Sequence, residues 1–210
     1  MNLLEENEHL VEHLISVGAL KTPRIIEAFK KTPRHLFVRE DYLSHAYDDI
    51  PLPTFNGQTI SQPYTVAIMT EALDPKPGNK ILEIGSGSGY QAALLARCVG
   101  LKAKVITIEL EAKLVEFSKK NLERAKVKNV KIIKWDGKEG YEKEAPYDRC
   151  IITAACLEIP KPVFNQTKVG GKIIAPVNDF WGQKMLLLEK ISDKEFKTKD
   201  LGSFIFVPLR

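Results

Sequence analysis

At 210 residues, with 44% hydrophobic and 28% charged side chains, the chain can bury one substantial core and is short for two. Its formal charge of +4 comes from lysines interspersed with acids, as in "KLVEFSKKNLERAKVKNVKIIK", a pattern that favours solubility over a dedicated nucleic-acid surface. No apolar run approaches the ~20 residues of a membrane span, the opening "MNLLEENEHL" is acidic where a signal peptide is basic, and Cys98, Cys150 and Cys156 form no C-x-x-C pair, so a cytoplasmic protein with buried thiols and no membrane partner is expected.

The first predicted element is an amphipathic helix, because Leu3, Leu4, Leu10, Val11, Leu14 and Ile15 recur at near-helical spacing and the pattern stops at Gly18. Its "HLVEH", His9 to His13, has the H-x-x-E-H order of some zinc peptidases. A solvated helix face explains the same letters, and no metal is expected. A second helix follows "KTP", with Thr22 as cap and Pro23 in the first turn. The next stretch, "RHLFVREDYLSHAYDDIPLPTFNGQT", lacks a period and is long for a connection, which suggests function; within it, segment 45–62 is the expected lid. "SQPYTVAIMTEAL" then reads as a helix with Pro63 in its first turn and Ser61 available as a cap.

From Lys80 the period changes. "KILEI", "KVITIE", "VKIIK", "DRCIITAA" and "GKIIAPV" are short β-branched runs separated by the helical stretches "GYQAALLARCV", "EAKLVEFSKKNLERA" and "LEIPKPVFNQT". Such alternation predicts an α/β, doubly wound, mostly parallel sheet covered by helices on both faces. "KMLLLEKI" and "SFIFVPLR" lie close together without a helix between them and predict a terminal antiparallel pair. One domain over residues 1–210 is expected, with N-terminal helices and a lid in 1–76 and a cofactor-binding core in 77–210.

"ILEIGSGSGYQAALLA" passes from a strand through Gly85, Gly87 and Gly89 into a helix, where glycines let a ligand approach the backbone at a helix N-terminus. The dinucleotide pattern G-x-G-x-x-G requires glycine at position 90, which is Tyr90 here. Glu83 ahead of the turn would repel a pyrophosphate but suits a ligand with positive charge, such as S-adenosylmethionine. Glu109 ends the next strand about twenty residues on, where an acid accepts ribose hydroxyl protons. Asp136, in "WDG" after the third strand, could accept from an adenine amine. The expected cofactor contacts are therefore Glu83, the turn Gly85, Ser86, Gly87, Ser88 and Gly89, and the strand-end pairs Glu109–Leu110 and Asp136–Gly137.

"GQTISQPY", "LEIGSGSGYQAA", "PYDRCIITAACLEIP" with "GGKIIAPV", and the closing "FVPL" together make the chain resemble the class I S-adenosylmethionine-dependent methyltransferases. Within them it is similar to the protein-L-isoaspartate O-methyltransferase family, over nearly its whole length. The resemblance implies a seven-stranded sheet with a reversed final hairpin. It also implies methyl transfer to the free α-carboxylate of L-isoaspartyl residues in damaged proteins and peptides, with S-adenosylhomocysteine as product and repair through a succinimide. The family's T-I-S serine maps onto Ser61, and Ile60, Gln62 and Pro63 border the cofactor. Thr59, Ser61, Val207 and Pro208 are the expected substrate contacts. Where the family continues P-V-G this chain has "PVND" before Phe180 and Trp181, so the loop near 178–182 departs from the pattern. A carboxylate nucleophile explains why a hydroxyl-rich motif without a strong base can serve, since that group is ionised at pH 7. A monomer is expected. The alternatives are another class I methyltransferase acting on nucleic acid or a small molecule, and a non-catalytic binder of the cofactor; "TAACLEIP" lacks the Asn-Pro-Pro-aromatic stretch of amine-directed nucleic-acid enzymes.

Overall fold

In the computed structural model, which describes residues 2–210, the chain opens with α1 (Leu3–Ser16) and α2 (Pro23–Lys30). Asn2 caps α1 by accepting the Leu4 N–H at 3.2 Å. Leu10, Val11 and Leu14 face the core, while His9, Glu12 and His13 stand exposed on the other side. Pro23 occupies the first turn of α2, but Thr22 does not cap it through its side chain. Its hydroxyl instead donates to Glu71 Oε2 at 2.7 Å, and Glu71 Oε1 takes the N–H groups of Lys21 and Thr22 at 2.8 Å each. A carboxylate from a distant helix thus satisfies the end of α2, a partner that local spacing does not reveal.

The aperiodic stretch is ordered into two 3-10 turns, Arg34–Phe37 and Glu40–His45, and a small antiparallel hairpin of β1 (Leu52–Pro53) and β2 (Thr59–Ile60). α3 (Pro63–Leu73) follows, with Gln62 rather than Ser61 at its cap position and no side-chain cap bond. The alternating half then runs β3 (Ile81–Ile84), α4 (Tyr90–Val99), β4 (Val105–Glu109), α5 (Ala112–Arg124), β5 (Val130–Lys134), β6 (Tyr147–Ile152), α6 (Lys161–Gln166), β7 (Thr167–Asp179), β8 (Gly182–Lys190) and β9 (Phe196–Ser203). α6 is shorter than expected, because Pro160 and Pro162 shift its start past "LEI".

β3 to β9 form one seven-stranded sheet in the order β5-β4-β3-β6-β7-β8-β9. The pairs from β5 through β7 are parallel, and β8 runs antiparallel to both β7 and β9. Every residue of β3 and β4 is buried, as befits strands covered on both faces. Side chains alternate between the two layers: Leu82, Ile106 and Ile152 enter one cluster, while Ile81, Val105 and Ile151 enter another with Met69 and Leu73. The N-terminal helices pack onto the alternating half, since Leu14, Phe29 and Phe37 share a third cluster with Tyr90, Leu94 and Leu122.

The expected terminal antiparallel pair is present, but its second strand lies earlier in the chain. β8 pairs with "FKTKDLGS", residues 196–203, rather than with "SFIFVPLR". β9 is an edge strand whose Lys197 and Lys199 are exposed, so it lacks the apolar alternation that announces a half-buried strand and carries the charges that discourage edge-to-edge pairing. Residues 204–209 form an extended tail. The divergent 178–182 segment is the β7–β8 hairpin turn, with Asp179 paired to Gly182, Asp179 Oδ1 accepting the Trp181 N–H at 2.8 Å, and Phe180 and Trp181 exposed at the tip.

Candidate active site

The carboxyl ends of β3, β4 and β6 converge on one crevice, the usual ligand position in an open parallel sheet. The chain leaves β3 at Gly85 with φ +96°, and a Cβ there would stand 2.4 Å from Thr153 Oγ1. Only glycine fits both the backbone and the contact. Thr153, the residue after β6, donates to the carbonyls of Ile84 (3.0 Å) and Gly85 (2.8 Å), tying the turn to the neighbouring strand. Gly137 allows a second close approach, because a Cβ there would meet Ile84 Cγ2 at 2.2 Å.

Glu109, the last residue of β4, holds the turn from the other side. Its Oε2 accepts the Gly87 N–H at 2.9 Å and its Oε1 the Glu111 N–H at 3.0 Å. The serines of the turn brace it internally: Ser86 and Thr107 share a hydroxyl bond of 2.7 Å, the Ser88 hydroxyl accepts from the Tyr90 N–H at 3.3 Å, and the Ser88 carbonyl accepts from Asn121 Nδ2 at 2.9 Å. Gly89 caps α4.

Glu83 is fully buried, and neither of its carboxyl oxygens has a hydrogen-bond partner among the described residues. Burial pushes its pKa up to about 8; the nearby Thr107 hydroxyl pulls it down and the Glu109 charge adds to the rise. An orphaned buried carboxyl is rare in a finished fold. Glu83 stands directly ahead of the glycine turn and lines none of the cavities there.

Three cavities meet at this place. The first is walled by Gly85, Gly87, Glu109, Leu110, Trp135 and Gly137. A second is walled by Ile60, Ser61, Met69, Ser88 and Gln91. A third lies between Ser61, Gln62, Tyr64 and residues 203–207. Thr59 and Thr153 line all three, so they form one crevice, and Ser61 lies on the wall that the second and third share. No hydrogen bond of the Ser61 hydroxyl to a described residue is formed, although its carbonyl accepts from Arg34 Nη2 at 3.2 Å.

Most residues expected at the site are therefore brought together. Pro63 is buried at the start of α3, and Gln62 turns its amide to Asp49 Oδ2 at 3.2 Å. Asp136 is placed differently from its neighbours Trp135 and Gly137: its side chain caps the short turn Gly137–Glu139 through the Lys138 N–H at 2.9 Å and does not line the cavity they wall. Val207 and Pro208 line the crevice on the tail, but part of that backbone is already paired. The Val207 carbonyl accepts the Ala155 N–H at 2.8 Å, the Leu209 N–H donates to the Ala155 carbonyl at 2.7 Å, and Gln183 grips both backbone groups of Phe206.

Sequence reasoning missed Thr153, Glu111 and Arg210. For Thr153 a signal existed, a hydroxyl at the end of a strand in "RCIITAA". Glu111 accepts from Asn56 Nδ2 at 2.9 Å and from Arg210 Nη1 at 3.4 Å, linking hairpin tip, post-β4 loop and tail at the edge of the first cavity. Nothing local in the sequence announces that meeting. Among the described residues no helix is long and apolar enough to cross a membrane.

A profile described as "Protein-L-isoaspartate(D-aspartate) O-methyltransferase (PCMT)" matches residues 5–210. A protein-L-isoaspartate O-methyltransferase of Methanopyrus kandleri is 47% identical over 203 residues, covering 96% of this chain and 90% of that protein. The enzyme of the same description from Pyrococcus horikoshii is 48% identical over 209 residues, 99% of this chain and 94% of the relative. A solved protein-L-isoaspartate O-methyltransferase superposes with a TM-score of 0.88 at 33% identity, over 96% of this chain and 65% of its own. A Plasmodium falciparum structure assigned to the same activity and bound to S-adenosylhomocysteine also reaches 0.88, at 26% identity, over 97% and 98%.

Proposed function

From the premise that this chain belongs to the protein-L-isoaspartate(D-aspartate) O-methyltransferase family, we propose how its own residues carry the reaction. The protein is an S-adenosylmethionine-dependent methyltransferase acting on the free α-carboxylate of L-isoaspartyl residues in damaged proteins and peptides, the step that starts repair through a succinimide.

When bound, S-adenosylmethionine supplies a methyl group on a positively charged sulfur. The residues present fit such a ligand: Glu83 is a buried carboxyl without a donor, Glu109 closes a strand beside the glycine turn, and the Gly85–Gly87 and Gly137 backbones lie open to the crevice. We assign Glu83, Gly85 to Gly89, Glu109, Leu110 and Gly137 to hold it, with Ile60, Gln62 and Pro63 on the side of α3. Asp136 acts through the turn it caps.

The substrate carboxylate has a reference pKa of about 3.5 and reaches the site ionised. The chain's task is to orient it and keep water out, and such positioning is worth roughly 7–11 kcal/mol in well-aligned systems. Ser61 donates its hydroxyl to one carboxylate oxygen, leaving the other free to take the methyl group. Thr59, Val207 and Pro208 line the path of the peptide. The observation that carries this reading is the Ser61 hydroxyl, unengaged by described residues, on the wall that the second and third cavities share. We further propose a monomer of one domain, 1–210, working in the cytoplasm, with neither nucleic acid nor membrane as partner.

Purified protein, methyl-labelled cofactor and one peptide in isoaspartyl and aspartyl forms test the assignment. Base-labile label is expected on the isoaspartyl form alone. Label on the aspartyl form or on RNA, or binding without transfer, would overturn it.

A further inference from the structure

Arg34 is a large side chain at 0% exposure, in the 3-10 turn Arg34–Phe37. Its Nη1 donates to the Ala46 carbonyl at 2.7 Å, and its Nη2 to the carbonyls of Ile50 at 3.0 Å and Ser61 at 3.2 Å. Its Nε is buried without a partner among the described residues. No carboxylate makes an ion pair with it among the described residues, although Asp48 and Asp49 lie near enough to raise its pKa. Burial brings that pKa down to about 10, so the group remains a cation at neutral pH.

A fold rarely buries a cation without a paired anion, because desolvation opposes it and carbonyl dipoles only partly compensate. Packing alone would be met by a leucine or methionine. The three carbonyls show what the charge accomplishes. Ala46 closes the second 3-10 turn, Ile50 stands just before β1, and Ser61 comes just after β2. One planar fork therefore joins both feet of the hairpin to the residue that carries the hydroxyl. Asp49 clasps the same junction from the acidic side, accepting the Tyr64 N–H at 2.8 Å and Gln62 Nε2 at 3.2 Å.

We infer that Arg34 is a positioning residue for methyl transfer: its guanidinium fixes the Ser61 main chain, and with it the direction of the Ser61 hydroxyl, without touching substrate. The inference rests on Ser61 being the residue that orients the carboxylate. Lysine cannot replace it, since an ammonium is a point donor and cannot span three carbonyls with the geometry of a planar fork.

The test is a double-mutant cycle of Arg34→Lys and Ser61→Ala, read as kcat and KM on an isoaspartyl peptide and as Kd for S-adenosylhomocysteine. Arg34→Lys is expected to lower kcat about ten- to a hundredfold, the scale of a small misplacement at a reacting centre, with the Kd changed less than about twofold. In the Ser61→Ala background the same substitution should add less than about threefold, because the group it aims is already gone. Arg34→Gln, which buries no charge, repeats the cycle should the lysine variant not fold. Independent, multiplying losses would make Arg34 merely structural and overturn the inference. So would unchanged kcat in the Arg34 variants or a parallel loss of cofactor affinity. A fully active Ser61→Ala single variant would remove the premise itself and the inference with it, an outcome distinct from the other three.

Discussion

The motif that carries Ser61, "GQTISQPYTV", contains no His, Cys or acid, and the reaction asks for no strong base. The Ser61 hydroxyl is worth what one hydrogen bond to a charged group is worth, about 1.5–3 kcal/mol. Ser61→Ala should therefore lower kcat about ten- to a hundredfold at unchanged melting temperature; a variant with wild-type turnover would remove Ser61 from the mechanism. The strand-end acids were legible at this scale, since a carboxylate at the end of a buried β-branched run is a local pattern. What each carboxylate does was less so. Glu109 takes the N–H of Glu111 two residues onward and that of Gly87 from the turn 22 residues back, and Asp136 takes the N–H of Lys138 two residues onward as a cap. Arg34 was invisible, because its three acceptors lie 12, 16 and 27 residues away.

Among the elements, the β/α alternation from β3 to β7 could be read from period alone, as could the first two helices. β9 could not, because an edge strand is recognised by its partner and not by its own alternation. The lid expected over 45–62 is a hairpin stapled at its feet by Arg34 and touching Glu111 and Arg210 through Asn56 at its tip. The tip is packed as well, with Phe55 edge-on to Phe117 at 5.1 Å and the Lys113 ammonium 4.1 Å from its ring, so opening there breaks these contacts without unfolding the sheet. Limited chymotrypsin digestion should cut near Phe55 in the free protein and slow severalfold with saturating S-adenosylhomocysteine. Equal cleavage rates with and without it would rule the lid out.

For the whole molecule, Glu83 ties stability to pH and to ligand. The folded state keeps its proton up to about pH 8, whereas an unfolded chain releases it near the ordinary carboxyl value of 4.5. Between those values the folded state holds more protons, so rising pH lowers stability, on the order of 1 kcal/mol per pH unit within the window. Urea unfolding of the free protein should show this loss between pH 5 and 8 relative to Glu83→Gln, whose curve lacks it. S-adenosylhomocysteine, with its ammonium, should shrink the difference. Parallel pH curves for the two proteins would show that Glu83 is not the buried neutral acid described.

By itself the sequence determined the doubly wound class, the glycine turn and the acids that end the strands, because each of these depends on side-chain period or on neighbours a few residues apart. Tertiary structure alone decided which hydroxyl stays free, which carboxyl is orphaned, which strand forms the edge and what clasps the hairpin. Those outcomes depend on which donors and acceptors are left unpaired once segments far apart in the chain have packed and shut out water, and a buried polar group must take the partner that packing brings to it.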